Sequence, residues 1–435
     1  ARFPPAPMPA ALDNQQNHQV EVVVVGRGQR APGGRARATL ARRARTDALV
    51  ETAHHSRRKV DTVSEAEKHR VRRAALGLLS AGAAAGAGCL SWALHEAHRY
   101  ILRERVLVLP HVANAAGELR ILHLSDMHLL RRHRAKQQFL RELGQRCRPD
   151  LVVLTGDHLS EAGAVGPLLD ALAPLADIPG LFVYGSNDYF APVLKNPLRY
   201  VAPGLFPPLV EKGEPDLPWE EMTAGLEAFG WIDLNNQRAR LRAAAWDIDA
   251  VGMDDPHIGR ARMPRPGEAT DALEGGAAAE GNTGAGREGR KNSGRGYLRL
   301  GVVHAPYRAA LAALMNDGAA LTLAGHTHGG QLAVPGFGAL TTNCDLPLRY
   351  DSGLFDWPCG EDAGAERGAG GAGSDRDTGG GRAGERLPLR GDGVRVLRGG
   401  MAVNVSAGLG TSPYTPVRFL RPPEAILLRV RGGAD

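Results

Sequence analysis

Five short segments follow one another down the 435-residue chain, and each sets metal-ligand side chains just after an apolar run. They are Asp126-Met127-His128, Gly156-Asp157, Gly185-Ser186-Asn187-Asp188, His304 and Gly325-His326-Thr327-His328. Carboxylate, amide oxygen and imidazole in one set suit Mn, Fe or Zn, whereas a thiolate-rich set would point to a structural zinc or an iron–sulfur cluster. None of Cys89, Cys147, Cys344 and Cys359 falls in a CxxC pair. Two cations about 3.5–4 Å apart need a ligand that reaches both, and a carboxylate has two oxygens for it. Asp157 is the natural bridge, and a pair of bridged cations is the equipment of hydrolysis.

The elements that must position these groups read as buried strands. Leu119 to Leu124 precedes Asp126, Leu151 to Thr155 precedes Asp157, and Leu181 to Tyr184 precedes Asn187. Leu298 to Val303 runs into His304, and Ala320 to Ala324 into His326 and His328. Short apolar runs bounded by Gly, Asp and Asn are strand-like, and in α/β folds ligand groups gather in the loops beyond the carboxyl ends of strands. Helices are expected near 135–147, 165–175 and 219–229, which makes a βαβαβ opening with parallel neighbours. The runs 239–241, 246–251, 401–405 and 425–430 suggest a second sheet. His257 follows the run 248–252 and could reach a substrate or cap its own loop. His95, His98, His111 and His133 have no partner pattern and read as surface residues.

DMH, GD, GSND, the His of VVHAP and GHTHGGQ, in this order, resemble the motifs of the calcineurin-like metallophosphoesterase superfamily. The likeness is to its bacterial, membrane-associated, phosphodiesterase-like branch, in which GHTHGGQ is followed by a turn such as Pro335-Gly336-Phe337-Gly338. It covers about residues 119 to 355 and 400 to 430. The resemblance implies an α/β fold, a four-layer α/β/β/α sandwich of two mixed sheets flanked by helices. It also implies two divalent metal ions, Mn, Fe or Zn. One would be held by Asp126, His128, Asp157 and His328, the other by Asp157, Asn187, His304 and His326. A hydroxide between them would attack a phosphodiester or phosphomonoester in line. The family usually writes its third motif Gly-Asn-His-Asp or Gly-Asn-His-Glu; here Asp188 stands where the imidazole would be. The leaving-group proton then has three possible origins: an Asp188 whose pKa burial has raised, His158, or no residue at all. Expected substrates are phosphoesters of lipid, cell-wall or nucleotide origin. A metal-binding membrane scaffold without turnover and a lipid-precursor pyrophosphatase are the alternatives, although the basic amphipathic lid of the latter is not evident.

Charge is informative once divided along the chain. Residues 1–73 carry 15 Lys and Arg against seven Asp and Glu, leaving 38 basic and 40 acidic groups elsewhere. The basicity belongs to the tail, so no specific nucleic-acid binding is expected of the catalytic part. Residues 1–73 read as a disordered basic tail, and 112–432 as the metallophosphoesterase domain. Residues 74–94 contain no charge and read as a membrane anchor or export signal, with a buried Ala-rich helix as the plain alternative. Seven Lys and Arg in the 20 residues before this stretch against three in the 20 after it would put the N-terminus in the cytoplasm and the catalytic domain outside. Arg72-Arg73 directly before it also resembles a twin-arginine export signal, without that signal's flanking residues. Residues 266–296 and 359–395 are rich in Gly, Ala, Arg and acids, and read as mobile inserts that cannot offset their ordering entropy by burial.

Overall fold

The computed structural model describes residues 65–113, 117–193, 213–265, 269–271, 295–334, 338–340, 342–358, 394–397, 399–411 and 415–433. These divide into two compact units with the boundary between Leu90 and Ser91. Helix α1 (Glu65–Glu96) crosses that boundary and exposes Leu76, Leu78, Leu79 and Leu90 to solvent. Residues 65–73 of the expected disordered tail are thus helical, and residues 1–64 lie outside the described residues.

From Ser91 onward the described chain forms strands β1 (Ile101–Ala113), β2 (Leu119–Leu124), β3 (Leu151–Thr155), β4 (Gly180–Val183), β5 (Ile232–Asp233), β6 (Arg238–Ala243), β7 (Trp246–Met253), β8 (Ala269–Asp271), β9 (Gly296–Val303), β10 (Leu321–Ala324), β11 (Ala333–Val334), β12 (Gly338–Ala339), β13 (Gly353–Trp357), β14 (Val394–Val396), β15 (Met401–Val405) and β16 (Glu424–Gly433). One seven-stranded sheet has the order β14-β1-β16-β2-β3-β4-β5, the other β13-β15-β10-β9-β7-β6-β8. Both are mixed: β2 to β5 run parallel while β16 opposes β2, and β7, β9, β10 and β15 run parallel while β6 opposes β7 and β13 opposes β15.

Strand periodicity of two sorts the apolar side chains into layers. Ile121, Val153 and Leu181 point into a core shared with Leu241, Ile248, Leu300, Val302 and Leu323 of the other sheet. Their neighbours Leu122, Val152 and Phe182 point the other way, onto helices α2 (Arg134–Cys147), α3 (Val165–Leu172) and, past the short α4 (Ser186–Tyr189), α5 (Trp219–Glu227). Val303, Val403 and Val405 of the second sheet face outward onto Leu311 and Leu314 of α6 (Arg308–Asn316). Helix, sheet, sheet, helix is the four-layer sandwich expected.

Four local expectations are corrected. The run 425–430 belongs to the first sheet, not the second: β16 lies antiparallel to β2, and its alternate residues are buried on both faces, so its pattern does not say which sheet it joins. The first sheet also begins ahead of the expected limit at residue 112, because β1 pairs with β16 from Ile101 onward. Arg103, Glu104 and Arg105 hid that strand; Arg103 and Arg105 both reach the buried Glu424, at 2.5 and 3.0 Å. Parts of the two inserts are ordered, since Ala269–Asp271 pairs with β6 and Val394–Val396 with β1. Backbone pairing at a sheet edge needs no apolar side chain, which is why composition missed both. Residues 335–337 of the Pro-Gly-Phe-Gly turn lie outside the described residues.

One polar chain crosses the apolar layer between the sheets. Asn404 Nδ2 donates to His123 Nδ1 at 2.9 Å, His123 Nε2 lies 2.9 Å from Thr155 Oγ1, and Arg105 joins Asn404 Oδ1 to Glu424. Glu424 in turn accepts the N–H of Ala407, anchoring the loop that follows β15.

Candidate metal centre

Strands β2, β3, β4, β9, β10 and β15 all end at one edge of the sandwich, and the five ligand-bearing segments are the loops they release there. Those loops press together without room for side chains at the glycines. A Cβ on Gly185 would lie 2.3 Å from Asp157 Oδ1 and 2.7 Å from His304 Nε2; one on Gly410 would lie 2.7 Å from the Cβ of His128. Glycine at these positions lets backbone approach backbone across the site.

The ligand loops also carry unusual torsions. Asp126, His128, Asp157, His326 and His328 all have positive φ, between 42° and 70°. Each costs on the order of 1 kcal/mol for a residue with a Cβ, and such strain gathers where side chains must be aimed. Backbone hydrogen bonds hold it in place: Asp126 N–H donates to Gly156 O and His128 N–H to Asp157 O, both at 2.9 Å. His326 N–H donates to both carboxylate oxygens of Asp126, at 3.0 and 3.1 Å.

Each of the four imidazoles spends one nitrogen on an oxygen and turns the other toward a second imidazole. His304 Nδ1 donates to Thr155 O at 2.7 Å, His328 Nδ1 to Gly410 O at 3.2 Å, and His326 Nε2 to Asn343 O at 3.0 Å; His128 Nδ1 lies 3.3 Å from Ser160 Oγ. Such contacts fix tautomer and ring orientation in metal sites. The four remaining nitrogens form two pairs. His128 Nε2 and His328 Nε2 are 3.2 Å apart, and so are His304 Nε2 and His326 Nδ1. Two unprotonated nitrogens at that separation repel, so each pair must share either a proton or a cation. Two nitrogens on one ion at about 2.1 Å, with an angle between square and tetrahedral, are roughly 3.0 to 3.4 Å apart. The donor set therefore fits the ions that the residue types suggest.

Asp157 stands between the pairs. Its Oδ2 is 3.4 Å from His128 Nε2 and its Oδ1 is 3.6 Å from His304 Nε2, while Asp126 Oδ1 is 3.6 Å from His328 Nε2. One ligand atom each from Asp126, His128, Asp157 and His328 lies within 4.8 Å of the others. Asn187 meets the same carboxylate, with its N–H 2.8 Å from Asp157 Oδ1 and its amide nitrogen 2.8 Å from Oδ2. Turning the amide over would present its oxygen instead. All seven expected ligands thus come together.

Electrostatics follow from burying so many polar groups. Burial, reinforced by Asp157, raises the Asp126 carboxyl to about 6. Asp157 is held well below the carboxylate range: burial opposes this, but His304, His128 and the Asn187 N–H outweigh it. Burial also opposes a charge on His304, yet Asp157, Asp255 and Asp126 raise its pKa to about 9. His128 is pushed down to about 4, first by burial.

The two candidate proton donors, Asp188 and His158, pair with each other. Both are fully buried, and His158 Nδ1 lies 3.0 Å from Asp188 Oδ2. The Asp188 carboxylate accepts the backbone N–H groups of Asp157, His158, Leu159 and Gly185 at 2.7 to 3.3 Å. A carboxylate so engaged is an anchor for the metal loop, and burial has come with donors for the charged form.

Two groups at the site were not singled out by sequence. Arg418, fully buried, donates to the carbonyls of Ala407, Gly410 and His328 and so ties the loop after β15 to the second His of GHTH. Tyr307 meets His257 Nδ1 at 2.8 Å, and the His257 ring lies 4.6 Å from that of His326. His257 therefore faces the centre, while Asp255 caps its loop by accepting its N–H. A lone Arg after a Pro-rich stretch carries no pattern that would have marked Arg418.

Comparison with known proteins agrees with this geometry. Residues 119–330 match the calcineurin-like phosphoesterase family. A Bacillus subtilis (strain 168) protein described as the uncharacterized metallophosphoesterase YkoQ is 30% identical over 153 residues, which is 34% of this chain and 48% of that protein. The chain thus spans about half the length of that relative. Among solved structures, TT1561 of Thermus thermophilus (TM-score 0.26, 11% identity, 48% of this chain and 81% of that one) shows only a distant likeness. So does purple acid phosphatase PPD1 from yellow lupin seeds (TM-score 0.29, 10% identity, 49% of this chain and 38% of that one). Neither carries weight here.

Proposed function

The chain carries a calcineurin-like phosphoesterase domain over residues 119–330, and from that premise we propose that it is a metal-dependent phosphoester hydrolase with a two-ion centre. The observation that carries this reading is the position of Asp157, one oxygen toward the His128–His328 pair and the other toward the His304–His326 pair. Asp126, His128, Asp157 and His328 would hold one ion; Asp157, Asn187, His304 and His326 the other. When bound, two divalent cations supply a nucleophile from water at neutral pH and offset the charge that spreads over the phosphoryl oxygens.

The chain's own residues do the rest. Thr155 O, Gly410 O and Asn343 O fix which ring nitrogen each His presents. Asp188 positions the Asp157 loop and gives no proton. His257, braced by Tyr307, is the side chain beside His326 that can meet the phosphoryl oxygens or the leaving group. Substrates would be phosphodiesters or phosphomonoesters of lipid, cell-wall or nucleotide origin.

We read α1 as a single membrane crossing, with the N-terminus in the cytoplasm and the catalytic domain outside. It is long and apolar enough to cross a bilayer, and its leucines are exposed rather than packed in a core. The test of the hydrolase reading is turnover of bis(p-nitrophenyl) phosphate by the full chain in detergent with Mn²⁺. Hydrolysis that EDTA abolishes and Mn²⁺ restores supports it. Binding of two ions without turnover would instead support a metal-binding scaffold.

A further inference from the structure

Beside the metal ligands lies a cavity of about 80 Å³ whose lining includes Tyr100, Arg132, His133, Lys136, Gly410 and Thr411. Among the described lining residues four, His98, Arg132, His133 and Lys136, carry basic nitrogen and none is a carboxylate. Gly410, which lines the cavity, accepts the hydrogen bond of His328 Nδ1 and packs against His128.

Lys136 is the unusual member. It is 2% exposed, and among the described residues its ammonium meets one acceptor, the carbonyl of Met127, for three donors. Ammonium groups are rarely buried without a counter-charge. Burial and the nearby Arg418 lower its pKa to about 7. The His133 Nδ1 accepts the N–H of Leu130, which leaves Nε2–H as a donor on the same half-buried ring. Tyr100 and Thr411 add hydroxyl groups. His98 and Arg132 are exposed and solvated whereas Lys136 is buried, and a phosphate takes several N–H donors at once.

We propose that this cavity is a subsite for a second, non-scissile phosphate of the substrate, seated by Arg132, His133 and Lys136 while the ester bond lies at the metal centre across Gly410. The subsite rests on the hydrolase reading above, and it narrows the substrate to phosphoesters that carry another phosphate on the arm the enzyme retains. That phosphate can belong to a soluble compound or to a lipid headgroup.

The test compares two aryl phosphodiesters that differ in one phosphate: p-nitrophenyl phosphate esters of ethanol and of 2-phosphoethanol. Full-length protein, Mn²⁺-loaded, is expected to prefer the doubly phosphorylated ester, and Arg132→Gln to reduce the kcat/KM ratio of the two by roughly tenfold, with Arg132→Lys restoring part of it. A ratio that Arg132→Gln and His133→Gln both leave unchanged overturns the subsite. Repeating the pair with the second phosphate carried on a diacylglycerol in mixed micelles separates the sources: loss of preference in both arms assigns a general phosphate site, loss in the micellar arm alone a lipid headgroup. Binding is read independently by titrating EDTA-treated protein with inorganic phosphate. Binding that Arg132→Gln weakens keeps the subsite even if no ester is hydrolysed and the hydrolase reading fails. No binding, with turnover intact and the ratio unmoved, removes the subsite and leaves the hydrolase.

Discussion

The carboxylate of Asp188 accepts the backbone N–H of Asp157 at 2.8 Å, so that one buried acid holds another, 31 residues before it, in a left-handed conformation with φ 56°. The same oxygen accepts from Gly185 and lies beside His158, while its partner oxygen takes His158 and Leu159.

Replacing Asp188 by Asn removes the charge and turns one oxygen into a donor that faces other donors. The expected cost is about 2–4 kcal/mol of stability, together with weaker metal retention, because the Asp157 loop is freed. Thermal unfolding and metal content measure the two. The ratio of aryl to alkyl leaving-group turnover is expected to stay where it was; a selective loss with alkyl leaving groups would return Asp188 to the role of proton donor.

Space at Gly185 is as decisive as charge. Its φ of −111° is open to any residue, so Gly185→Ala adds no backbone strain and acts only through its Cβ, 2.3 Å from Asp157 Oδ1. Turnover and affinity for Mn²⁺ are each expected to fall by about a hundredfold or more, while the far-ultraviolet circular dichroism is kept. Gly166→Ala, in α3 with nothing within 4 Å, is the matched control and is expected to keep both. Equal behaviour of the two variants would mean that the loops are not packed as described.

Metal uptake is expected to depend on pH through His304. Without metal its pKa is raised to about 9, so below pH 9 it holds a proton that an ion must displace. Affinity for Mn²⁺ then rises by up to about tenfold per pH unit from pH 7 toward 9 and levels above it. Calorimetry in two buffers of different ionisation enthalpy should show about one proton released per chain at pH 7.5. Affinity flat over that range, with no proton released, would remove His304 from the ligands.

Much of the site was legible because its signal is local. Asp126, Asp157, His304 and the pair His326 and His328 each end a buried apolar run, and a strand followed by a ligand is visible without knowing what lies beside it. What escaped depends on distant partners. Asp188 reads as one more acid at the site until the amides it accepts, 29 to 31 residues away, are known. Arg105 and Glu424, 319 residues apart, meet inside the sandwich at 3.0 Å, and that ion pair concealed β1. His133 and Lys136 fall in a basic run that looks solvated, and only folding places them around a cavity beside the centre.

The most direct test of the account is the metal content of Asp157→Asn against the wild type, measured by plasma mass spectrometry after loading with Mn²⁺ and gel filtration. With one oxygen of Asp157 turned to each pair of imidazoles, the wild type is expected to retain about two ions per chain, and the variant fewer than about one, with turnover lost. A variant that keeps both ions and hydrolyses at the wild-type rate would contradict the bridge on which the account is built.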